Sequence, residues 1–289
     1  MNWTGTLSRV CIQMIDRGED FMLFKRRKQP RIGLALGGGG ARGLCMIDFF
    51  KVLDEFELKP VVISGTSIGA IMGSFYAAGF SGTRMQELLD EIGLFEFSKL
   101  IDISLFTRKA FLKGKAVREF FQEHIGIELF EQLKIPLYVV ATDYWRQEQV
   151  VMDRGDLISA VRASMSIPGI FEPVERGTRV LVDGGAVNPL PHEIIRDQCD
   201  YLIAIDVSGK IAPVKNKRIP SMFDSVMGTF QTLEHALIQH QLEHSKVDYY
   251  IAPDLTNIGI LDFHKEEQIR ESVEPDLNEF RKRLNSDLR

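Results

Sequence analysis

Ile32-Gly33-Leu34-Ala35-Leu36-Gly37-Gly38-Gly39-Gly40-Ala41-Arg42-Gly43 is a short apolar run that breaks into glycines, and Val61-Val62-Ile63-Ser64-Gly65-Thr66-Ser67-Ile68-Gly69 repeats that arrangement one helix further on. Each run is too short for a helix and is bounded by glycine, so Ile32–Leu36 and Val61–Ser64 read as strands. A helical pattern follows each of them, Arg42–Phe56 and Ile68–Ala78. Strand, helix, strand, helix is a βαβα unit, the signature of an α/β protein with a mostly parallel sheet covered by helices. Both helices are apolar on nearly all sides. Gly69, Ala70, Gly73 and Ala77 let the second lie close to a sheet, so both are expected to be central.

Working outward, a helical stretch from Gly82 to Ile92 leads into a Phe-rich segment, Leu94–Leu112, that fits no single period. Pro136–Asp143, Gln149–Met152, Arg179–Val182 and Tyr201–Val207 read as strands and Leu157–Ser164 as a helix. Met222–Ser245 reads as a long amphipathic helix, Asp248–Ile251 as a last short strand, and the chain from Lys265 as a charged helical tail. No Pro/Gly/Ser-rich linker divides residues 31–289, so they are expected to form one domain behind an extension of residues 1–30.

Composition narrows the function. The 289 residues are 45% hydrophobic and 26% charged, as in an ordinary globular protein. A net charge of -5 offers phosphate backbones no attraction, so no nucleic-acid partner is expected. Cys11, Cys45 and Cys199 are odd in number and far apart, which supplies neither a disulfide framework nor a metal knuckle and suits a reducing compartment. No window approaches the roughly 18 apolar residues of a spanning helix, and the first thirty residues lack a signal-peptide core. The expectation is a cytoplasmic protein. The basic cluster Lys25, Arg26, Arg27, Lys28 and Arg31 reads as a solvated linker in preference to a lipid head-group contact.

Gly65-Thr66-Ser67-Ile68-Gly69 is a G-x-S-x-G between a strand and a helix. On such a turn a serine is pushed out at the carboxyl end of the sheet, glycines relieve the crowded backbone, and the helix N-terminus adds partial positive charge, so Ser67 reads as a nucleophile in preference to an ordinary turn serine. Gly38, Gly40 and Gly43 satisfy G-x-G-x-x-G, but the second strand ends Ser64-Gly65 where a dinucleotide fold needs an acidic residue for the ribose. Leu44 stands where a Walker A loop needs lysine. The remaining reading is an oxyanion hole with Arg42 supplying charge.

Ser67 then needs a base. Asp183 followed by His192, His235, His240, His244 or His264 would suit a Ser-His-Asp esterase, yet too few strands precede Ser67 for an α/β-hydrolase, and no histidine occupies a short loop after a strand. His240 and His244 are spaced to chelate a metal, but Gln241 breaks H-E-x-x-H, and a helix surface is the better reading. Asp183 ends a strand and is followed by Gly184 and Gly185. From the residues alone it is either the base or an ordinary Asp-Gly turn.

Together these elements resemble the patatin-like phospholipase family. Its G-G-G-x-R-G appears as Gly38 to Gly43, its G-x-S-x-G as Gly65 to Gly69 and its D-G-G as Asp183 to Gly185, in the family's order. Ala141-Thr142-Asp143, the stretch Ala163 to Phe171 and Asn188-Pro189-Leu190-Pro191 also look like the family. The likeness runs from about Arg31 to Asp206, weakens to the C-terminus, and is closest to the compact bacterial members. The resemblance implies a patatin-like three-layer α/β/α fold and a serine lipid acyl hydrolase of the phospholipase A or lysophospholipase type. It implies a Ser-Asp dyad, with Ser67 as nucleophile, Asp183 as general base, and Gly38, Gly39, Gly40 and Arg42 around the oxyanion. It implies a phospholipid or other lipid substrate, no metal and no cofactor. The rival from another class is a non-catalytic lipid-binding or regulatory protein of the same fold. Phe95, Phe97, Phe106 and Phe111, interleaved with Lys99, Arg108, Lys109 and Lys113, are either core or an apolar lip that meets a membrane peripherally.

Overall fold

The computed structural model describes residues 30–100, 110–213 and 219–288, and within these all side chains except those of 94–100, 110–116 and 288. Eight strands form one sheet: β1 (Ile32–Leu36), β2 (Pro60–Thr66), β3 (Leu137–Asp143), β4 (Glu148–Met152), β5 (Val174–Arg176), β6 (Arg179–Asp183), β7 (Tyr201–Ile205) and β8 (Tyr249–Ile251). Their order is β5-β6-β3-β2-β1-β7-β8, with β4 also paired to β3. β3, β2, β1, β7 and β8 are parallel, and β4, β5 and β6 add an antiparallel side. Seven helices are described: α1 (Met46–Glu55), α2 (Ile68–Ala78), α3 (Gly82–Leu100), α4 (Ala110–His124), α5 (Leu157–Ser164), α6 (Met222–His244) and α7 (Glu266–Leu288).

Alternation along the central strands sorts side chains onto two cores. Leu34, Leu36, Ile63, Ile203 and Ile205 join Phe49, Phe75 and Phe280 in the larger one, beneath α1, α2 and α7. Ala35, Val62, Leu202 and Ala204 face the other way, onto Ile195 and, from α6, Ile238 with the half-buried Leu242. The expected three-layer α/β/α fold is present, with a thin second helical layer. All of α2 is buried, and a Cβ on Gly69 would overlap the Leu36 carbonyl oxygen, so the small residue lets the helix backbone rest on the end of β1.

The pairing of β3 positions the site. Val139 to Asp143 takes β4 on one edge, leaving the other edge to β2 along Leu137 to Val140 and to β6 along Ala141 to Asp143. β2 ends with Thr66 opposite Val140, and β6, running the other way, ends with Asp183 opposite Ala141. The two strands therefore meet end to end. The register delivers Ser67 and Asp183 to one point although 116 positions separate them in sequence.

Three expectations are revised. The helix expected from Arg42 begins instead as a 3-10 turn, Gly40–Cys45, because Gly40 takes a left-handed φ of 59° and Arg42 folds back onto the loop; α1 follows. β5 was not foreseen, since three residues carry no readable period. The helix to Ile92 continues past a break at Gly93 (φ 72°, ψ 151°) to Leu100. The side chains of Phe95, Phe97, Phe106, Phe111, Lys99, Arg108, Lys109 and Lys113 lie outside the described residues, as do Cys11 and the Lys25 to Lys28 cluster. Arg31 is described and pairs with Asp200 at 2.7 Å on the surface. Among the described residues no helix is long and apolar enough to cross a membrane.

Candidate active site

Ser67 has φ 55° and ψ -122°, a left-handed conformation that a non-glycine residue holds only when its surroundings enforce it. The enforcement is visible. Its N–H donates to Ser164 Oγ at 2.9 Å, and Ser164 in turn donates to the Val140 carbonyl at 2.6 Å, tying the turn to α5 and β3. A Cβ on Gly65 would lie 2.5 Å from the Gly69 carbonyl, so the turn closes only with glycine there. The side chain stands at the N-terminus of α2, where the helix dipole favours negative charge.

Asp183 is 2% exposed. Its Oδ1 accepts the Gly185 N–H at 2.8 Å, which is the local Asp-Gly turn, and its backbone is held by Ser166 O and by the Thr142 hydroxyl. Oδ2 is buried with no hydrogen-bond partner among the described residues. Burial pushes the carboxyl up to about 6, while the Gly185 N–H and the nearby Ser67 hydroxyl act against it, favouring the anion. Ser67 is close enough to stabilise the carboxylate, yet its hydroxyl makes no hydrogen bond of standard geometry to it. One oxygen of Asp183 thus fixes the turn, and the other has no hydrogen-bond partner among the described residues.

The glycine loop divides its labour. The Gly38 N–H is taken by the Pro189 carbonyl at 2.9 Å, while those of Gly39 and Gly40 have no acceptor among the described residues. Arg42 is fully buried; Nε donates to the Gly39 carbonyl at 3.1 Å and Nη1 to the Ile258 carbonyl at 3.3 Å. In a planar trans peptide, holding the Gly39 carbonyl on one side turns the Gly40 N–H to the other. Arg42 thus orients an amide, and its charge acts from behind the loop. Burial lowers its pKa to about 10, so it remains a cation at neutral pH. Gly40 and Ser67 share the wall of a small, partly open apolar pocket of about 10 Å³, closed by Ile71, Met165, Ile167, Phe171 and Ile260.

The stretches around the motifs are explained by the same contacts. Asn188 O accepts from Thr66, Pro189 O from Gly38 and Pro191 O from Ser64, so this segment clamps the ends of β1 and β2 beside Gly184 and Gly185. His192 is buried with Nδ1 against the Leu190 carbonyl; His235, His240, His244 and His264 are exposed. Among the described residues no histidine hydrogen-bonds to Ser67 or Asp183. His240, Glu243 and His244 lie within 4.8 Å of one another on the exposed face of α6, remote in sequence from these groups.

Sequence reading missed Glu234. It comes from α6, is 6% exposed, and its carboxyl lies against Gly185.

A family model described as patatin-like phospholipase matches residues 34–196, more than half of the chain. The chain belongs to the patatin-like phospholipase family. It is 36% identical over 191 residues to an NTE family protein of Mycobacterium tuberculosis, covering 63% of this chain and 51% of that one. It is 33% identical over 214 residues to patatin-like phospholipase domain-containing protein 6 of Mus musculus, covering 70% of this chain and 15% of the mouse protein. The chain thus spans about half the length of the mycobacterial relative. The crystal structure of VipD from Legionella pneumophila shares the fold at a TM-score of 0.50 and 13% identity, over 87% of this chain and 67% of that one.

Proposed function

We propose that the protein is a serine lipid acyl hydrolase of phospholipase A or lysophospholipase type, working through a Ser67–Asp183 dyad. One observation carries the reading: the strained Ser67 turn, on the wall of a small apolar pocket, comes beside buried Asp183, whose Oδ2 has no hydrogen-bond partner among the described residues. As Ser67 Oγ attacks the ester carbonyl, Asp183 takes its proton and the amides of Gly39 and Gly40 receive the oxyanion. Collapse returns that proton to the departing alcohol and leaves an acyl-Ser67. Asp183 then deprotonates water, which releases the fatty acid. Every proton in this cycle is moved by Asp183, so the chemistry calls on no metal.

The base must be ionised to act. kcat/KM on a short soluble ester is therefore expected to rise with pH through an inflection near 6, the level to which burial pushes Asp183. An inflection below 4.5, or one that moves when a histidine is replaced, would contradict the assignment. The same raised pKa costs stability. The folded value lies above the ordinary 3.8, so the contribution is intact below that value and is lost as pH rises through about 6. Asp183→Asn is accordingly expected to be more stable than wild type at pH 7.5, on the order of 2 kcal/mol, with the gap closing by pH 4.

The reading includes a cytoplasmic protein that meets its lipid peripherally. Met222, Val226 and Leu233 form an exposed apolar stripe on α6 that ends beside Glu234 at the site, which supports contact with a lipid surface there. Replacing Met222 and Val226 with Ser is expected to weaken vesicle binding and hydrolysis of aggregated lipid while sparing the soluble ester. Equal loss on both substrates would remove the membrane role.

A further inference from the structure

α6 buries two side chains, Ile238 and, one turn earlier, Glu234. Ile238 packs on the sheet, but Glu234 reaches over its end. A Cβ on Gly185 would overlap Glu234 Oε1 and stand 3.1 Å from Asp183 Oδ1. A Cβ on Gly38 would stand 3.8 Å from the same Oε1 and 3.5 Å from the Ser67 Cβ. The Glu234 carboxyl therefore fills the gap between the two glycine turns, flanked by both members of the dyad.

The groups acting on it come from three other elements: Asp183 at the end of β6, Arg42 behind the glycine loop and Asp206 just after β7. On its own helix the adjacent His235 is exposed. Glu234 thus faces two further acids and one guanidinium, which Asp262 also faces, and burying Glu234, Asp183 and Asp206 all as anions is unfavourable. Two of them have donors suited to an anion. Asp206 accepts from the Tyr250 hydroxyl at 2.6 Å and the Ser208 N–H at 2.8 Å, and Asp183 accepts from the Gly185 N–H. Glu234 has no hydrogen bond among the described residues, so it is the acid that keeps its proton. Burial first, then the nearness of Asp183, push it up to about 8.

We propose that Glu234 is a positioning residue for acyl transfer: a neutral acid wedged between Asp183 and the glycine loop, it leaves the negative charge on Asp183 and keeps charge away from the amides that receive the oxyanion. This rests on the Ser67–Asp183 reading. The proton balance is simple. Before attack the site holds anionic Asp183 and protonated Glu234; after attack Asp183 holds the Ser67 proton, the charge is on the ester oxygen, and Glu234 has not changed. Ionisation of Glu234 adds a second negative charge beside the forming oxyanion, so turnover falls as pH rises through about 8.

The test compares kcat/KM from pH 5 to 10 on a short-chain soluble ester for wild type, Glu234→Gln and Glu234→Ala. Wild type is expected to lose activity above pH 8. In Glu234→Gln that descent is absent, so its ratio of kcat/KM at pH 9.5 to that at pH 7 exceeds the wild-type ratio about tenfold. Glu234→Ala, which leaves the gap open, lowers kcat at all pH values, and Glu234→Gln restores part of the loss. An active Glu234→Gln enzyme with the wild-type alkaline limb would overturn the proposal while leaving the dyad standing. A second readout needs no turnover. The Tm advantage of Glu234→Gln over wild type is expected to grow from pH 4.5 to 8, as a carboxyl held protonated by folding costs more stability, and to shrink in the Asp183→Asn background. The same advantage in both backgrounds would mean that the two carboxyls share no charge, which also overturns the proposal. A wild-type protein that cleaves no ester, yet shows this coupling, would instead sink the hydrolase reading beneath it.

Discussion

Ser67→Ala and Asp183→Asn are each expected to lower kcat by about 10⁴-fold or more, with the double variant no worse than either single one, because members of one catalytic unit fail together. Both substitutions spare the scaffold. In Asp183→Asn the new side-chain amide keeps an oxygen for the Gly185 N–H, so the turn after β6 survives, but it cannot take a proton where Oδ2 now stands free. Ser67→Ala keeps the N–H that donates to Ser164 and loses only the hydroxyl. Circular dichroism should therefore be unchanged while hydrolysis of any carboxylic ester disappears. Near wild-type turnover in Asp183→Asn, together with loss in a variant of buried His192, would replace the dyad with a histidine-dependent mechanism.

The second large effect concerns the glycine loop. Gly39→Ala is expected to lower kcat by about 10² to 10³, the loss associated with an oxyanion donor. The cause is the neighbour behind the loop: the new Cβ would overlap the Val207 carbonyl, so the loop backbone must move and carry the free amides of Gly39 and Gly40 with it. Arg42→Met should act through the same amides, since it releases the Gly39 carbonyl and with it the orientation of the Gly40 N–H. The two variants are expected to be less than additive, as both disturb one peptide. Unchanged kcat in both would remove the loop from the mechanism. Binding of NAD or ATP by the wild-type protein, read as a Tm shift, would return the loop to nucleotide recognition.

Much of this was legible in the chain because the informative residues carry local signals. β1, α2 and α5 begin and end where the pattern of apolar runs and glycines places them, and G-x-S-x-G marks a turn whose geometry depends on its own glycines. Asp183 was readable from its own residues as a candidate base, and its pairing with Ser67 came only with the family resemblance. Only the end-to-end meeting of β2 and β6 along β3 joins them, and strand register is not written in either segment. The division of the glycine loop was hidden for a related reason: the Gly38 N–H is consumed by Pro189, far along the chain. Glu234 was missed because α6 inverts the usual rule. Its inward face carries Gln231, Glu234, Ile238 and Gln241, and the two glutamines bond Ser208 O and Asn188 Oδ1. A hydropathy pattern reads such a helix as surface, because much of its inner face meets loop polar groups at the sheet end, while Ile238 and Leu242 meet the core.

The central claim is that Ser67 is a nucleophile activated by Asp183. Reaction of the folded protein with a fluorophosphonate probe, followed by peptide mapping and by measurement of the labelling rate, tests it most directly. The expected result is a single adduct on Ser67, absent in Ser67→Ala, formed at least about 10²-fold more slowly in Asp183→Asn, and unaffected in rate when His192 is replaced. An adduct on another residue, or undiminished labelling in Asp183→Asn, would contradict the account.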